Sequence, residues 1–283
     1  MKSKPVYSSG TISKLLDIPY TEEPNAPEIL ASANNGIFIG NSAKMNVPIF
    51  LDFGSLFNPH VFIVGMTGSG KTFLMKSLLM RLNFILDSKV IIVDFTGEYQ
   101  EIANLIGAEL HKGSDKAVYA NVSRSSYFML KNLKENEKVA CASEILKSVA
   151  TKMRSNIGKK DNTFILLDES WKLMNSNEDL EIIVREGRKY GVGLLLASQL
   201  LEDMSDGIVS NSASIFIFRI QVKKSAEKII ANYNLGHEYI EYIQGLDQGK
   251  CLLIKLDKNN KRSTTIIKRV SGISISPKTK LLL

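Results

Sequence analysis

Eight consecutive residues, Gly65-Met66-Thr67-Gly68-Ser69-Gly70-Lys71-Thr72, fit the G-x-x-x-x-G-K-[ST] phosphate-binding pattern at every defined position. Glycines let successive backbone N–H groups wrap phosphates, and the positive end of a following helix assists them. Lys71 suits the outer phosphates and Thr72 suits Mg²⁺, while Phe73 extends the cofactor-binding stretch into the helix. A second feature is the apolar run Phe164-Ile165-Leu166-Leu167 ending in Asp168-Glu169. Asp168 suits the Mg²⁺ shell, and Glu169 suits a base that polarises an attacking water. Two acids in succession favour hydrolysis over phosphoryl transfer to a bound metabolite, and so count against a small-molecule kinase.

Six further residues, at four places in the sequence, each admit two readings. Asp94 and Glu98, in Asp94-Phe95-Thr96-Gly97-Glu98-Tyr99, are either cofactor contacts or parts of a strand-to-helix turn with a capping acid. Gln199, after Ala197-Ser198, either reaches the terminal phosphate and attacking water or is a satisfied strand-end amide. Arg185 and Arg188 lie near a helix end, where cations are favourable for dipole reasons; the alternative is an arginine finger supplied across an interface. Arg219 interrupts the apolar run Ile215–Ile220 and calls for an anionic partner, catalytic or structural.

These residues need rigid elements beneath them. Val61–Val64, Val90–Val93, Phe164–Leu167, Val192–Ala197 and Ser214–Ile220 read as strands, all but the last continuously apolar, as buried parallel strands are. Helical patterns alternate with them: Lys71 to about Leu86, Tyr99–Ile106, an amphipathic stretch through Val139, Ala142, Ile145, Leu146, Val149 and Met153, and Asp179–Tyr190 before Gly191. Further helices are expected near 223–233 and 237–244. The alternation predicts an α/β fold around a mainly parallel sheet. Gly36–Gly40 and Val47–Leu51 form a small β element ahead of it, and Lys250–Leu256 with Ser263–Arg269 form a C-terminal β-hairpin. Residues 1–35, rich in Ser, Pro, Asn and Thr, read as an extended arm or linker, leaving 36–283 as the α/β domain.

Composition sets the outer limits. With 44% apolar and 23% charged residues in 283, wholesale disorder is excluded. Cys141 and Cys251 have no paired spacing, which excludes a disulfide scaffold and a four-cysteine zinc site. His60, His111 and His237 lack metal-ligand spacing, and Trp171 reads as packing. No apolar run approaches the roughly 18 residues that span a bilayer, and no hydrophobic stretch follows Met1-Lys2-Ser3-Lys4-Pro5. The expectation is a soluble, cytoplasmic protein. The net charge of +7 is concentrated: Lys112–Lys160 holds 11 Lys/Arg against 4 Asp/Glu, and the remainder holds 25 of each sign. A polyanion is the natural partner of such a segment, although a solvated lysine-rich surface has the same composition.

Taken together, these motifs resemble the HerA–FtsK superfamily of hexameric DNA-pumping ATPases, and most of all its HerA and type IV secretion (conjugation) branch. The resemblance runs from Pro48-Ile49-Phe50-Leu51-Asp52 and the strand His60–Val64 through the Gly65–Thr72 loop and the Asp94–Tyr99 element. Leu166-Leu167-Asp168-Glu169-Ser170-Trp171-Lys172-Leu173, Arg185–Gly191 and Ala197-Ser198-Gln199 complete it. It implies a RecA-like core, a homo-hexamer, ATP and Mg²⁺ between subunits and DNA in a central channel. It also implies that Gln199 couples nucleotide state to movement, and that an arginine, Arg188 before Arg185, reaches the neighbouring site, with Arg219 as a sensor. Membrane-embedded DNA transfer machinery, archaeal DNA import and viral packaging are the implied settings, with the chain peripheral at the inner face of the membrane in the first. A secretion or pilus assembly ATPase that does not itself move DNA is the alternative. Residues 1–35 match no family pattern, and the large N-terminal domain typical of this branch is missing from the sequence.

Overall fold

A computed structural model of the chain describes residues 19, 21–112, 124–155, 162–174, 177–199, 207–208, 211–259 and 261–270. Its strands are β1 (Ile37–Ser42), β2 (Pro48–Leu51), β3 (Val61–Val64), β4 (Lys89–Asp94), β5 (Glu109–Lys112), β6 (Ser126–Met129), β7 (Thr163–Leu167), β8 (Val192–Ser198), β9 (Ser214–Ile217), β10 (Cys251–Leu256) and β11 (Arg262–Val270). Among the described residues they form a single sheet in the order β2-β1-β11-β10-β9-β3-β8-β7-β4-β6-β5. From β9 to β5 every pairing is parallel. From β9 to β2 every pairing is antiparallel. The small N-terminal β element and the C-terminal hairpin are therefore one extension of the sheet, joined where β1 pairs with β11.

Continuously apolar strands arise because both faces of the sheet are covered. Phe62, Val64, Ile91, Val93, Ile165, Leu167, Leu194 and Leu196 point into one core. Their neighbours Val61, Ile63, Val90, Ile92, Phe164, Leu166, Leu195 and Ala197 point into the other. The alternation is the period of two that a strand imposes on successive side chains. In chain order the helices are α1 (Ala26–Asn35), α2 (Lys71–Phe84), α3 (Gln100–Leu105), α4 (Glu135–Ser155), α5 (Trp171–Met174), α6 (Glu178–Tyr190), α7 (Lys223–Asn232) and α8 (Glu238–Gln244). Helices α4, α6, α7 and α8 cover the first face, through residues such as Ile145, Ile183, Ile229 and Ile243. Helices α2 and α3 cover the second, through Leu74, Leu78 and Ile102. Helix α6 starts under an Asn177 cap that accepts from Leu180 N at 2.9 Å, and it stops at Gly191 in the left-handed region with φ +75°. No helix among the described residues is long and apolar enough to cross a membrane.

Three expectations are corrected. Residues 26–35, read as part of an extended arm, form α1, nucleated by a capping box in which Asn25 and Glu28 satisfy each other's backbone N–H groups. None of its residues is buried, so it carries no apolar stripe for periodicity to detect. Residues 1–18 lie outside the described residues. The short strands β5 and β6, absent from the sequence reading, extend the sheet at its parallel edge; β5 is mostly exposed, and β6, though buried, is only four residues long. The strand holding Arg219 stops earlier, at Ile217, so Arg219 lies beyond it.

Candidate nucleotide site

The glycine-rich loop leaves the end of β3 and is held against the neighbouring strand ends. Gly65 N donates to Ser198 O at 3.3 Å, and Met66 N donates to Arg219 O at 2.9 Å. Gly249 N donates to Ser69 O at 2.9 Å, so the turn before β10 supports the loop from a third direction. Glycine is required at both ends of the loop. At position 65 a Cβ would lie 2.6 Å from Phe218 Cβ, and Gly70 caps α2 with φ +119°. Lys71 is only 9% exposed, and its Nζ donates to Gly65 O at 2.5 Å and Met66 O at 3.1 Å. Burial lowers its pKa, while Asp168, Glu169 and Glu98 oppose that and favour the charged form. Thr72 follows at half-buried depth, and Phe73 is 50% exposed at the helix start.

Strand β8 lies between β3 and β7, which brings three sequence signals to one edge. Val64 pairs with Ser198 and Leu167 pairs with Leu196, so the loop, Gln199 and Asp168-Glu169 emerge side by side. Asp168 is buried; its Oδ2 accepts from Tyr99 OH at 2.6 Å and its Oδ1 accepts from Glu169 N at 2.9 Å. Burial raises the Asp168 pKa, and these two hydrogen bonds pull it back. Glu169 occupies the left-handed region at φ +55°, a conformation that costs a non-glycine residue about 1–3 kcal/mol. Its carboxylate accepts from Trp171 Nε1 at 2.6 Å and from Gln199 Nε2 at 3.2 Å. Among the described residues no group of three or more His, Cys, Asp or Glu could enclose a metal ion by itself. The Thr72 hydroxyl and the Asp168 carboxylate are the oxygen donors of this edge that could hold Mg²⁺, with the rest of its shell coming from phosphate oxygens and water.

Asp94 is the neighbour of Asp168 across the β4–β7 pairing, but it is fully engaged. Its Oδ1 accepts from Thr96 N, Thr96 Oγ1 and Gly97 N, and its Oδ2 accepts from Tyr99 N and Tyr127 OH, all between 2.8 and 3.1 Å. Of the two readings open for Asp94, its 0% exposure and these bonds favour the strand-to-helix turn, which presents Tyr99. Glu98 is exposed in that turn and sits within electrostatic reach of Lys71.

The arginines separate into two groups. Arg219 belongs to the loop, with its Nε 3.2 Å from Met66 Sδ. Arg185 and Arg188 are exposed on α6, whose C-terminus leads into the start of β8, opposite the strand ends that carry the loop. Arg185 pairs with Glu181 at 3.1 Å, and the Arg188 guanidinium lies 5.5 Å from the Phe57 ring centroid. Both contacts lie away from the Gly65–Thr72 loop and from Asp168-Glu169. Two contributors were missed in the sequence: Tyr99, which bonds both acids of adjacent strands, and Trp171, whose indole reaches Glu169. Position two residues after Glu169 was the available signal for Trp171.

A model of the family described as Helicase HerA, central domain, matches residues 37–272. The chain belongs to that family. A DNA double-strand break repair helicase HerA of Sulfurisphaera tokodaii is 26% identical over 176 residues, covering 58% of this HerA-family chain and 34% of that protein. The DNA import protein CedB of Sulfolobus acidocaldarius is 23% identical over 264 residues, covering 85% and 43% respectively. The chain thus spans about a third of the length of the HerA relative and under half that of CedB. VirB4 of Thermoanaerobacter pseudethanolicus superposes with a TM-score of 0.68 at 14% identity, covering 87% of this chain and 98% of that one. The genome packaging NTPase B204 of Sulfolobus turreted icosahedral virus 2, in complex with AMPPCP, superposes at 0.57 with 17% identity, covering 76% and 100%. At these identities the likeness is one of fold, an α/β P-loop ATPase fold with a mainly parallel sheet.

Proposed function

We propose that this chain is the motor domain of an ATP-driven DNA translocase, hydrolysing ATP at the interfaces of a homo-hexamer with DNA in the channel. The observation that carries the proposal is the convergence of the Gly65–Thr72 loop, Gln199 and Asp168-Glu169 on three adjacent parallel strand ends. Membership of the HerA family and the HerA and CedB relatives support DNA as the substrate. In this scheme Lys71 exchanges its two loop carbonyls for the outer phosphates. Thr72 and Asp168 would hold Mg²⁺, which would supply neutralisation of the phosphate charge. Glu169 takes the proton of the attacking water, and Gln199 reports the state of that site. Because the contacts of Arg185 and Arg188 are with Glu181 and Phe57 rather than with the loop or the acidic pair, either would serve as a finger in the next subunit.

The basic segment supplies the DNA-facing charge, with Lys131, Lys134 and Lys147 exposed. Lys116, Lys159 and Lys160 lie outside the described residues. A second reading, an assembly ATPase that does not move DNA, is favoured by the partial neutralisation of this segment: Lys138 pairs with Glu135 at 2.8 Å and Arg154 with Glu186 at 3.2 Å. Under either reading the setting is the cytoplasm, at the inner face of a membrane where transfer machinery is the partner. Steady-state ATP hydrolysis with and without DNA, measured alongside oligomeric mass, separates them. A translocase hydrolyses faster on DNA, assembles on it and loses both effects as salt rises. Hydrolysis indifferent to DNA would leave the assembly ATPase.

A further inference from the structure

Both chain neighbours of Glu169 are held, Asp168 through its carboxylate and Ser170 through its backbone and hydroxyl. Asp168 is held by Tyr99 OH, and Ser170 donates to Ala197 O through both its N–H, at 3.0 Å, and its Oγ, at 2.7 Å. The freedom left to Glu169 is in its side chain, and the two carboxylate oxygens are held unequally. Trp171 Nε1 donates to Oε2 at 2.6 Å, whereas Gln199 Nε2 donates to Oε1 at 3.2 Å. The first is a short bond from a rigid ring, and the second is a long bond from an exposed, rotatable amide. Trp171 is itself positioned from behind: Lys172 Nζ lies 5.6 Å from its ring centroid and pairs with Glu135 at 2.7 Å.

From this asymmetry we infer that Trp171 is a positioning residue for the hydrolytic base. The indole anchors Oε2, and Oε1 is the oxygen that exchanges Gln199 for the attacking water. The step is a proton transfer: water gives its proton to Oε1 as its oxygen bonds to the terminal phosphorus, and the bond to the leaving phosphate oxygen breaks. The anchor matters because a base accelerates hydrolysis only when its oxygen is within hydrogen-bond reach of that water. The inference rests on the proposed ATPase reading and deepens it.

The test is a double-mutant cycle in the full chain. Trp171→Phe keeps a ring and removes the N–H; it is expected to lower kcat for ATP roughly 10-fold or more, with KM and nucleotide binding within about twofold. In a Glu169→Gln background the same substitution is expected to change the residual rate less than twofold, because the residue it positions no longer acts as a base. Wild-type kcat in Trp171→Phe, or an equal loss in both backgrounds, overturns the positioning role and leaves the ATPase reading standing. Wild-type kcat in Glu169→Gln overturns the base assignment and the inference with it. Circular dichroism melting of each variant identifies one that fails to fold; Trp171→Tyr, which keeps an aromatic ring with a differently placed donor, then takes its place under the same criteria.

Discussion

Strands β4 and β7 lie side by side, β4 ending in Asp94 and β7 running straight into Asp168, yet the two acids are held differently. Asp94 closes on itself, with five donors on two oxygens and no exposed surface. Asp168 has two donors, and Glu169 is held at the surface by an indole and an amide that belong to other turns. A carboxylate saturated by neighbouring N–H and O–H groups has no capacity left for a ligand, whereas one held by few donors retains it. The number and origin of the donors, rather than the presence of an acid at a strand end, separates scaffold from chemistry. Tyr99 spans the boundary, giving its N–H to Asp94 and its hydroxyl to Asp168.

That contrast can be broken by substitution. The largest effect is expected on the reactive side: Lys71→Ala should abolish ATP turnover, because the charge that meets the outer phosphates is gone. Measurable nucleotide-dependent activity in that variant would remove the loop from the mechanism. Next, Glu169→Gln should bind nucleotide and hydrolyse it about 10²–10⁴-fold more slowly, as single-turnover kinetics would record. Asp94→Asn should act on stability instead. Its amide cannot accept from both sets of donors, so denaturant unfolding should show a loss of about 3 kcal/mol, the scale of one or two charge-assisted hydrogen bonds. A normally stable Asp94→Asn with impaired nucleotide binding would reverse the assignment.

A milder expectation concerns the opposite end of β3. His60 is buried under α6 with neither ring nitrogen hydrogen-bonded, and burial lowers its pKa to about 4. The folded state therefore favours the neutral ring. Its contribution is complete above the ordinary value of 6.5 and declines as pH falls toward 4, by about 3 kcal/mol if the whole shift is lost. Stability of His60→Leu should vary less across that window. The smallest effect is expected for Tyr99→Phe, at about 1 kcal/mol for one hydroxyl. Removing that hydrogen bond leaves burial of Asp168 less opposed, so its pKa rises further and the acid limb of the ATPase profile moves to higher pH. An unmoved acid limb would show that Asp168 does not govern it.

Much of this architecture was legible because buried parallel strands advertise themselves as apolar runs. β3, β4, β7 and β8 were each read within one residue or so of their ends, and the phosphate loop carries its own spacing. Helix α1 was not legible from periodicity, since its stability comes from a cap at Asn25 and Glu28 rather than a buried face. The fate of Asp94 was not legible either. Tyr127, one of its donors, is 33 positions away on a strand hidden inside the basic segment. Hydrogen bonds across that distance leave no local trace in residue order, so a capping acid and a ligand-binding acid look alike until the sheet brings the donors in. The indole contact at Glu169 is local in sequence, but it depends on the left-handed turn at Glu169 and on where α5 begins.

The indole has a practical consequence as well. Trp171 is the only tryptophan in 283 residues, so emission excited selectively at the red edge of protein absorption comes from a ring bonded to Glu169. That ring is 40% exposed, which leaves it open to added quenchers. The unlabelled protein thus carries an optical probe one hydrogen bond from the carboxylate proposed as the hydrolytic base, and a stopped-flow trace could time events there without any attached dye.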